Sequence, residues 1–219
     1  MRIYNALRKH SMQTASTAPA LRWFRLGIAS AFTALCAFSN MGWAQSTEPA
    51  ELAVHPKTVE IQGHTLQRNG AGIRTKAIFK VYSAALYLEK PVSTLEEISK
   101  LSGPKRVSVS MLRNINASEL GKLFAHGMED NMDKQQFSKL IPGVMRMSEV
   151  FSRHKELKTG DKFTLDWLPG KGMLLSVNGT PEPAEFTEPE FYQAMLGIWL
   201  GPKPADTKLK QALLGEGRN

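Results

Sequence analysis

Cysteine is almost missing from this chain: the one thiol among 219 residues is Cys36. A disulfide within the chain is therefore excluded, and no set of thiolates is available to hold zinc or an iron–sulfur cluster. Metal patterns built on histidine are missing too, since His55, His64, His126 and His154 are scattered without HExxH or paired spacing. No GxSxG elbow occurs, and the glycine cluster "NGAGIR" at 69–74 does not have the GxGxxG spacing of a dinucleotide loop. No cofactor is marked, and internal repeats and low-complexity tracts are absent. Aromatic residues make up only 8% of the chain, but a hydrophobic content of 42% suits one globular domain with a largely aliphatic core.

Acidic residues are missing from residues 1–44, which carry Arg2, Arg8, Lys9, Arg22 and Arg25 ahead of the apolar run "LGIASAFTALCAFSNMGWA". Gly42 and Ala44 put small residues at the −3 and −1 positions before Gln45, so the segment reads as a secretory signal peptide cleaved after Ala44, with Met12 an alternative start. An uncleaved membrane anchor is the competing reading, but the run is short for about 30 Å of hydrocarbon and contains Asn40. Cleavage implies a periplasmic protein without a stable membrane anchor. It also removes five positive charges and no negative one, taking the net charge from +8 to +3. A basic balance of that size gives no reason to expect nucleic acid as a partner.

Residues 45–56 form a polar lead-in and residues 57–215 the expected domain. "KTVEIQGHTLQRN" alternates around Gly63 as a hairpin or two short strands, and residues 70–89 continue in strand style. "STLEEISKL" is a short helix capped by Ser93 or Thr94. "KRVSVSMLR" is again a strand, followed by the helix "NASELGKLFAHGMEDNMDKQQF" with Asn116 or Ser118 as cap and Leu120, Leu123, Phe124, Met128 and Met132 on one stripe. A further helical run is expected beyond Pro142. "DKFTLDWLP" and "MLLSVNG" are strands with an Asn178-Gly179 turn signal, and two helices ended by Gly201 and Gly215 close the chain. The order fits an α+β architecture, an antiparallel sheet with helices packed mainly on one face.

Within 69–91, "NGAGIRTKAIFKVYSAALYLEKP", one arginine stands at the mouth of an increasingly apolar strand. Read as continuous, the strand puts Arg74, Lys76, Ile78, Lys80 and Tyr82 on one face, with Ser83, Ala84 and Ala85 leaving room for a closely packed helix or for a ligand cavity.

These blocks, with "RVSVSML", the amphipathic helix and "FYQAMLGIWLGPKPADTKLKQALLG", resemble the chalcone isomerase-like family over about residues 57–215, particularly its exported bacterial members. The resemblance implies an open-faced β-sandwich, a large antiparallel sheet covered by a helical layer with a ligand cleft between them. Plant members divide into isomerases that close a chalcone into a flavanone and fatty-acid-binding relatives without that chemistry.

Arg74 matches the family's central arginine, which stabilises developing negative charge in the enzymes and pairs with a carboxylate in the binding proteins; a planar guanidinium fork suits both tasks. Tyr82 stands where the isomerases carry threonine and the fatty-acid binders tyrosine. Eight residues of continuous strand would separate the two by roughly 26 Å, so they meet only if the chain turns between Thr75 and Phe79. Lys122 matches the enzymes' cleft lysine, whereas Glu119 and His126 replace a tyrosine and an asparagine; the three share a helix face that is either solvated or a cleft wall. Tyr192 or Gln193 approximates the last polar cleft residue, on a helix whose apolar stripe could equally be core. The resemblance thus implies a small hydrophobic or amphipathic ligand at Arg74, Tyr82, Lys122, His126 and Tyr192, with Arg74 and Lys122 as the catalytic pair if the protein is an isomerase. A third reading, a structural module of the cell envelope, expects the cleft to be filled by its own side chains.

Overall fold

The structure, a computed structural model, describes residues 48–216; the expected signal segment 1–44 lies outside them. Nine strands and five helices follow in the order β1 (Thr58–Ile61), β2 (His64–Lys76), β3 (Phe79–Leu88), α1 (Leu95–Lys100), β4 (Lys105–Met111), β5 (Ile115–Asn116), α2 (Ala117–Glu129), α3 (Lys134–Arg153), β6 (Glu156–Leu157), β7 (Lys162–Leu168), β8 (Gly172–Val177), β9 (Thr180–Pro181), α4 (Pro189–Leu200) and α5 (Thr207–Leu213). Seven strands form one antiparallel sheet in the order β1-β2-β3-β4-β7-β8-β9, and β5 pairs with β6 apart from it. The sheet is a meander with α1 inserted between β3 and β4, and with β5, α2, α3 and β6 inserted between β4 and β7. The α+β expectation and the large antiparallel sheet under a helical layer are both met.

Alternation decides which face each side chain takes. On β3, Tyr82, Ala84, Leu86 and Leu88 face the helices, while Ala85 and Tyr87 join Ile61, Leu66 and Leu168 in a smaller cluster on the other face. Phe124 of α2 ties the helical layer to the sheet: its ring meets Phe151, Phe163 and Trp199 edge-on, with centroids 5.4, 5.7 and 5.6 Å away. Such edge-to-face pairs add about 0.5–1.5 kcal/mol each beyond the area they bury.

Two expectations need correction. Residues 70–89 are not one strand: β2 ends at Lys76 and β3 begins at Phe79, with the reversal at Ala77 and Ile78, and Ala77 takes φ 54°. Nor does one helix run from Asn116 to Phe137 with a break at Pro142. The break falls at 130–133, where Asp133 caps α3 by accepting from the Gln136 amide at 2.8 Å, and α3 continues through Pro142. Pro142 and Ser138 are both exposed, so water can reach the Ser138 carbonyl that proline leaves without its helical donor.

The lead-in is more than a linker. His55 is buried with Nε2 3.0 Å from Ser83 Oγ, its carbonyl accepts from Arg68 at 2.7 Å, and the Pro56 carbonyl accepts from the Tyr87 hydroxyl at 3.0 Å.

Candidate functional site

The turn at Ala77–Ile78 sets the site. It folds β2 back on β3 so that Arg74 and Tyr82 become cross-strand partners, and a register shift between Arg74 and Thr75 keeps them opposite one another. Paired residues project on the same face, so both side chains lie under the helical layer, with the Arg74 Cζ 5.7 Å from the Tyr82 ring centroid.

What lies above them follows from the glycines of "NGAGIR". A Cβ at Gly70 would collide with the Ala212 carbonyl, and one at Gly72 would come within 2.8 Å of the Ala212 side chain, so these bare positions seat α5 directly on β2. Asn69, bulged and buried, fixes the seat by donating to the Leu213 carbonyl at 2.8 Å and accepting from the Val92 amide at 2.9 Å. The first turn of α5 is tied down in the same way: Asp206 accepts from the Leu209 amide and from the Thr75 amide, each at 3.0 Å. The segment joining α4 to α5 is thereby drawn over Arg74. Asn131, in the break between α2 and α3, holds that segment from the other side, accepting from the Lys203 amide at 2.8 Å and donating to the Lys203 carbonyl at 2.9 Å.

Under this roof is a cavity of about 180 Å³ lined by Arg74, Val81 and Tyr82 of the hairpin, by Leu120, Leu123, Phe124 and His126 of α2, and by Ile198 and the 203–205 segment. Its lining is largely apolar, with Arg74, Tyr82, His126, Asp130 and Lys203 as the polar residues. Arg74 Nε is buried without a hydrogen-bond partner. Tyr82 is 4% exposed, and its oxygen accepts from Trp199 Nε1 at 2.8 Å, which leaves the hydroxyl proton available to a ligand. Burial pushes the Tyr82 phenol up to about 12, against the opposing pull of the Arg74 charge and the Trp199 hydrogen bond. At neutral pH the cavity therefore offers a guanidinium and a neutral phenol as donors, with the Asp130 carboxylate also on its lining.

A model of chalcone isomerase-like proteins matches residues 49–215. The chain belongs to the chalcone isomerase-like family. Among solved structures it is similar to the crystal structure of a fatty-acid-binding protein of Arabidopsis thaliana, with a TM-score of 0.57 and 13% identity, over 73% of this chain and 90% of that one. No curated protein matches the chain.

Within this family member the other singled-out residues divide. His126 lines the cavity at its open rim, its Nδ1 3.9 Å from Glu129. Lys122 does not line it: the side chain is 71% exposed and its Nζ pairs with Glu119 at 2.9 Å, the solvated-face alternative. Tyr192 stands apart as well, in a separate cleft with Lys105 and Trp167, its ring 5.5 Å from that of Trp167. Its hydroxyl is buried without a partner, and burial holds the phenol far above its ordinary range. Its neighbour Gln193 lines that same cleft, away from Arg74. Sequence reasoning missed Asn69 and Asn131, and it placed Trp199 on an apolar helix surface that could roof the cleft without foreseeing its hydrogen bond to Tyr82; all three act through contacts made across long stretches of chain.

Proposed function

We propose that this protein is a non-catalytic periplasmic binding protein for a small amphipathic carboxylate such as a fatty acid. The observation that carries this reading is the partnerless Arg74 Nε at a largely apolar cavity, beside a tyrosine whose proton is free. A carboxylate satisfies both: the guanidinium fork holds its two oxygens and the phenol donates to one of them. Similarity to a fatty-acid-binding protein of the same fold agrees with this. At about 180 Å³ the cavity is smaller than the roughly 300 Å³ at which drug-sized pockets begin. It takes the head and the first few methylenes, and a longer tail leaves past Leu123.

Isomerase chemistry is supported less well. Lys122 turns away from Arg74, and the phenol of Tyr82, raised to about 12, is a poor base at neutral pH. The structural-module reading expects a plugged cleft, and the cavity beside Arg74 weighs against it.

The test is mass spectrometry of lipid co-purifying with the protein, followed by calorimetric titration with decanoate. Saturable binding that Arg74→Ala abolishes is expected. Absence of both co-purified lipid and decanoate binding overturns the reading, and accelerated loss of naringenin chalcone absorbance would replace it with the isomerase.

A further inference from the structure

Two residue pairs beyond Arg74 and Tyr82, the β2–β3 hairpin ends in a tip whose side chains lie outside the core. Turns of this size favour Asn, Asp or Gly, yet this one holds Ala77 at φ 54° and puts Ile78 at the apex, 85% exposed. Phe79 beside it is 50% exposed. Neither apolar side chain contributes to the core, and an isoleucine at an apex brings the turn no conformational advantage.

Cations predominate around this tip. Lys76 has no ion-pair partner among the described residues, and the Arg113 guanidinium lies over the Phe79 ring with Cζ 4.3 Å from its centroid. Lys80 is paired with Glu51, and the nearby Asp206 is engaged by the Thr75 and Leu209 amides. Two cations without an ion-pair partner among the described residues, Lys76 and Arg113, thus flank exposed aliphatic and aromatic side chains, against the single amide-bound carboxylate of Asp206. Leu123, 40% exposed, adds a further exposed apolar side chain on the lining of the cavity.

We propose that this tip docks the protein on an anionic lipid bilayer: Ile78 and Phe79 enter the interfacial layer, Lys76 and Arg113 meet headgroup phosphates, and the Arg74 cavity is presented at the membrane surface. No helix among the described residues is long and apolar enough to cross a membrane, so the contact is peripheral and reversible. Apolar insertion and basic residues act together here, each too weak alone for stable attachment. The purpose assigned to docking, loading or releasing an amphipathic carboxylate where such molecules reside, rests on the ligand reading above; the docking itself does not.

The experiment is co-sedimentation of the full chain, as its producing cell processes it, with phosphatidylcholine vesicles with and without phosphatidylglycerol. Binding is expected to the anionic vesicles, to weaken with added salt, and to fall about tenfold in Ile78→Ser, the effect of withdrawing one large aliphatic side chain from an apolar layer. Lys76→Gln should lower it several-fold at low salt and have little effect at high salt. Decanoate titration without vesicles should be unchanged in Ile78→Ser. Met145→Ser, at a 67% exposed apolar position on α3, is the control and should bind vesicles like the parent. Equal binding by the parent and Ile78→Ser, equal binding to neutral and anionic vesicles, or an equal loss in Met145→Ser overturns the proposal. Anionic vesicle binding through Ile78 by a protein that takes up no decanoate supports the docking surface while overturning the ligand reading.

Discussion

Replacing Arg74 by methionine separates an arginine kept for a ligand from one that holds the sheet together. In the empty protein its buried Nε lacks a hydrogen bond, a penalty of about 1–3 kcal/mol for a polar group out of water. Against this stands the contact with the Tyr82 ring at 5.7 Å, about 0.5–1 kcal/mol in a partly solvated position. Methionine keeps an unbranched apolar stem and removes both terms, so the empty Arg74→Met protein should be as stable as the parent or more stable by ~1 kcal/mol, a rise of roughly 2–4 °C at this size.

Ligand reverses the order. At decanoate one hundred times its dissociation constant, linkage stabilises the parent by about 2.7 kcal/mol. Losing two charge-assisted hydrogen bonds of about 1.5 kcal/mol each weakens binding about 100-fold, leaving the variant near half-saturation with about 0.4 kcal/mol of stabilisation. Thermal unfolding followed by circular dichroism, with and without decanoate, should therefore show the variant level with or above the parent when empty and several degrees below it when loaded. A lower midpoint for empty Arg74→Met, or equal ligand shifts in both proteins, refutes the reasoning and makes the arginine structural.

Other expectations follow from the same contacts. Tyr82→Phe strands the buried Trp199 Nε1 and should lower stability by about 1–3 kcal/mol while also weakening decanoate, measured by urea unfolding and titration. Tyr192→Phe removes an orphaned hydroxyl far from Arg74, so unfolding should be unchanged or stabilised by up to about 1 kcal/mol with decanoate affinity intact. Gly70→Val should undock α5, seen as a large loss of stability or as failure to fold. Burial, with Lys162 and Arg68 adding to it, lowers the His55 imidazole to about 4. The unfolded chain then binds more protons than the folded one between pH 6.5 and about 4, so stability is full above that window and falls by roughly 2–3 kcal/mol on acidification through it. A pH series of unfolding midpoints checks this, and His55→Gln should flatten the slope in that window.

Much of the fold was legible because local signals and tertiary packing agree. The strands "DKFTLDWLP" and "MLLSVNG" form where they are read, the Asn178-Gly179 turn has positive φ at both residues, and Asn116 and Thr94 cap the helices they precede. The failures fall where such signals are absent or misleading. No turn residue marks Ala77–Ile78, so a hairpin reads as a strand. Pro142 signals a break that an exposed helix face tolerates, while the real break at 130–133 is set by the Asp133 cap and by Asn131 binding a segment 72 residues away. For the site, the types of Arg74 and Tyr82 were readable but their meeting was not, since it depends on the turn. The helix bearing Lys122 could be placed, but whether that lysine faced the cleft or solvent depended on how α2 is rotated against the sheet.

The unmarked turn has a geometric consequence that links the two ends of the hairpin. A reversal one residue later would shift the pairing of β2 and β3, and because side chains alternate with period two, Arg74 and Tyr82 would no longer share a face. Register is held from the β2 side by α5 on Gly70 and Gly72 and from the β3 side by β4, so the hairpin has only Ala77 and Ile78 in which to turn. Glycine or asparagine would relieve the strain at Ala77, but Gly at Ile78 would also strip the apex of its apolar side chain. Ala77→Gly and Ile78→Gly should therefore behave differently. The first should stabilise the protein or leave it unchanged without altering vesicle binding, and the second should keep decanoate affinity and lose vesicle binding. Measured side by side by thermal unfolding, titration and co-sedimentation, the pair tells a tip retained for its chemistry from one retained for its backbone. If Ile78→Gly lowers the unfolding midpoint and leaves vesicle binding as it was, the apex residue serves the turn alone.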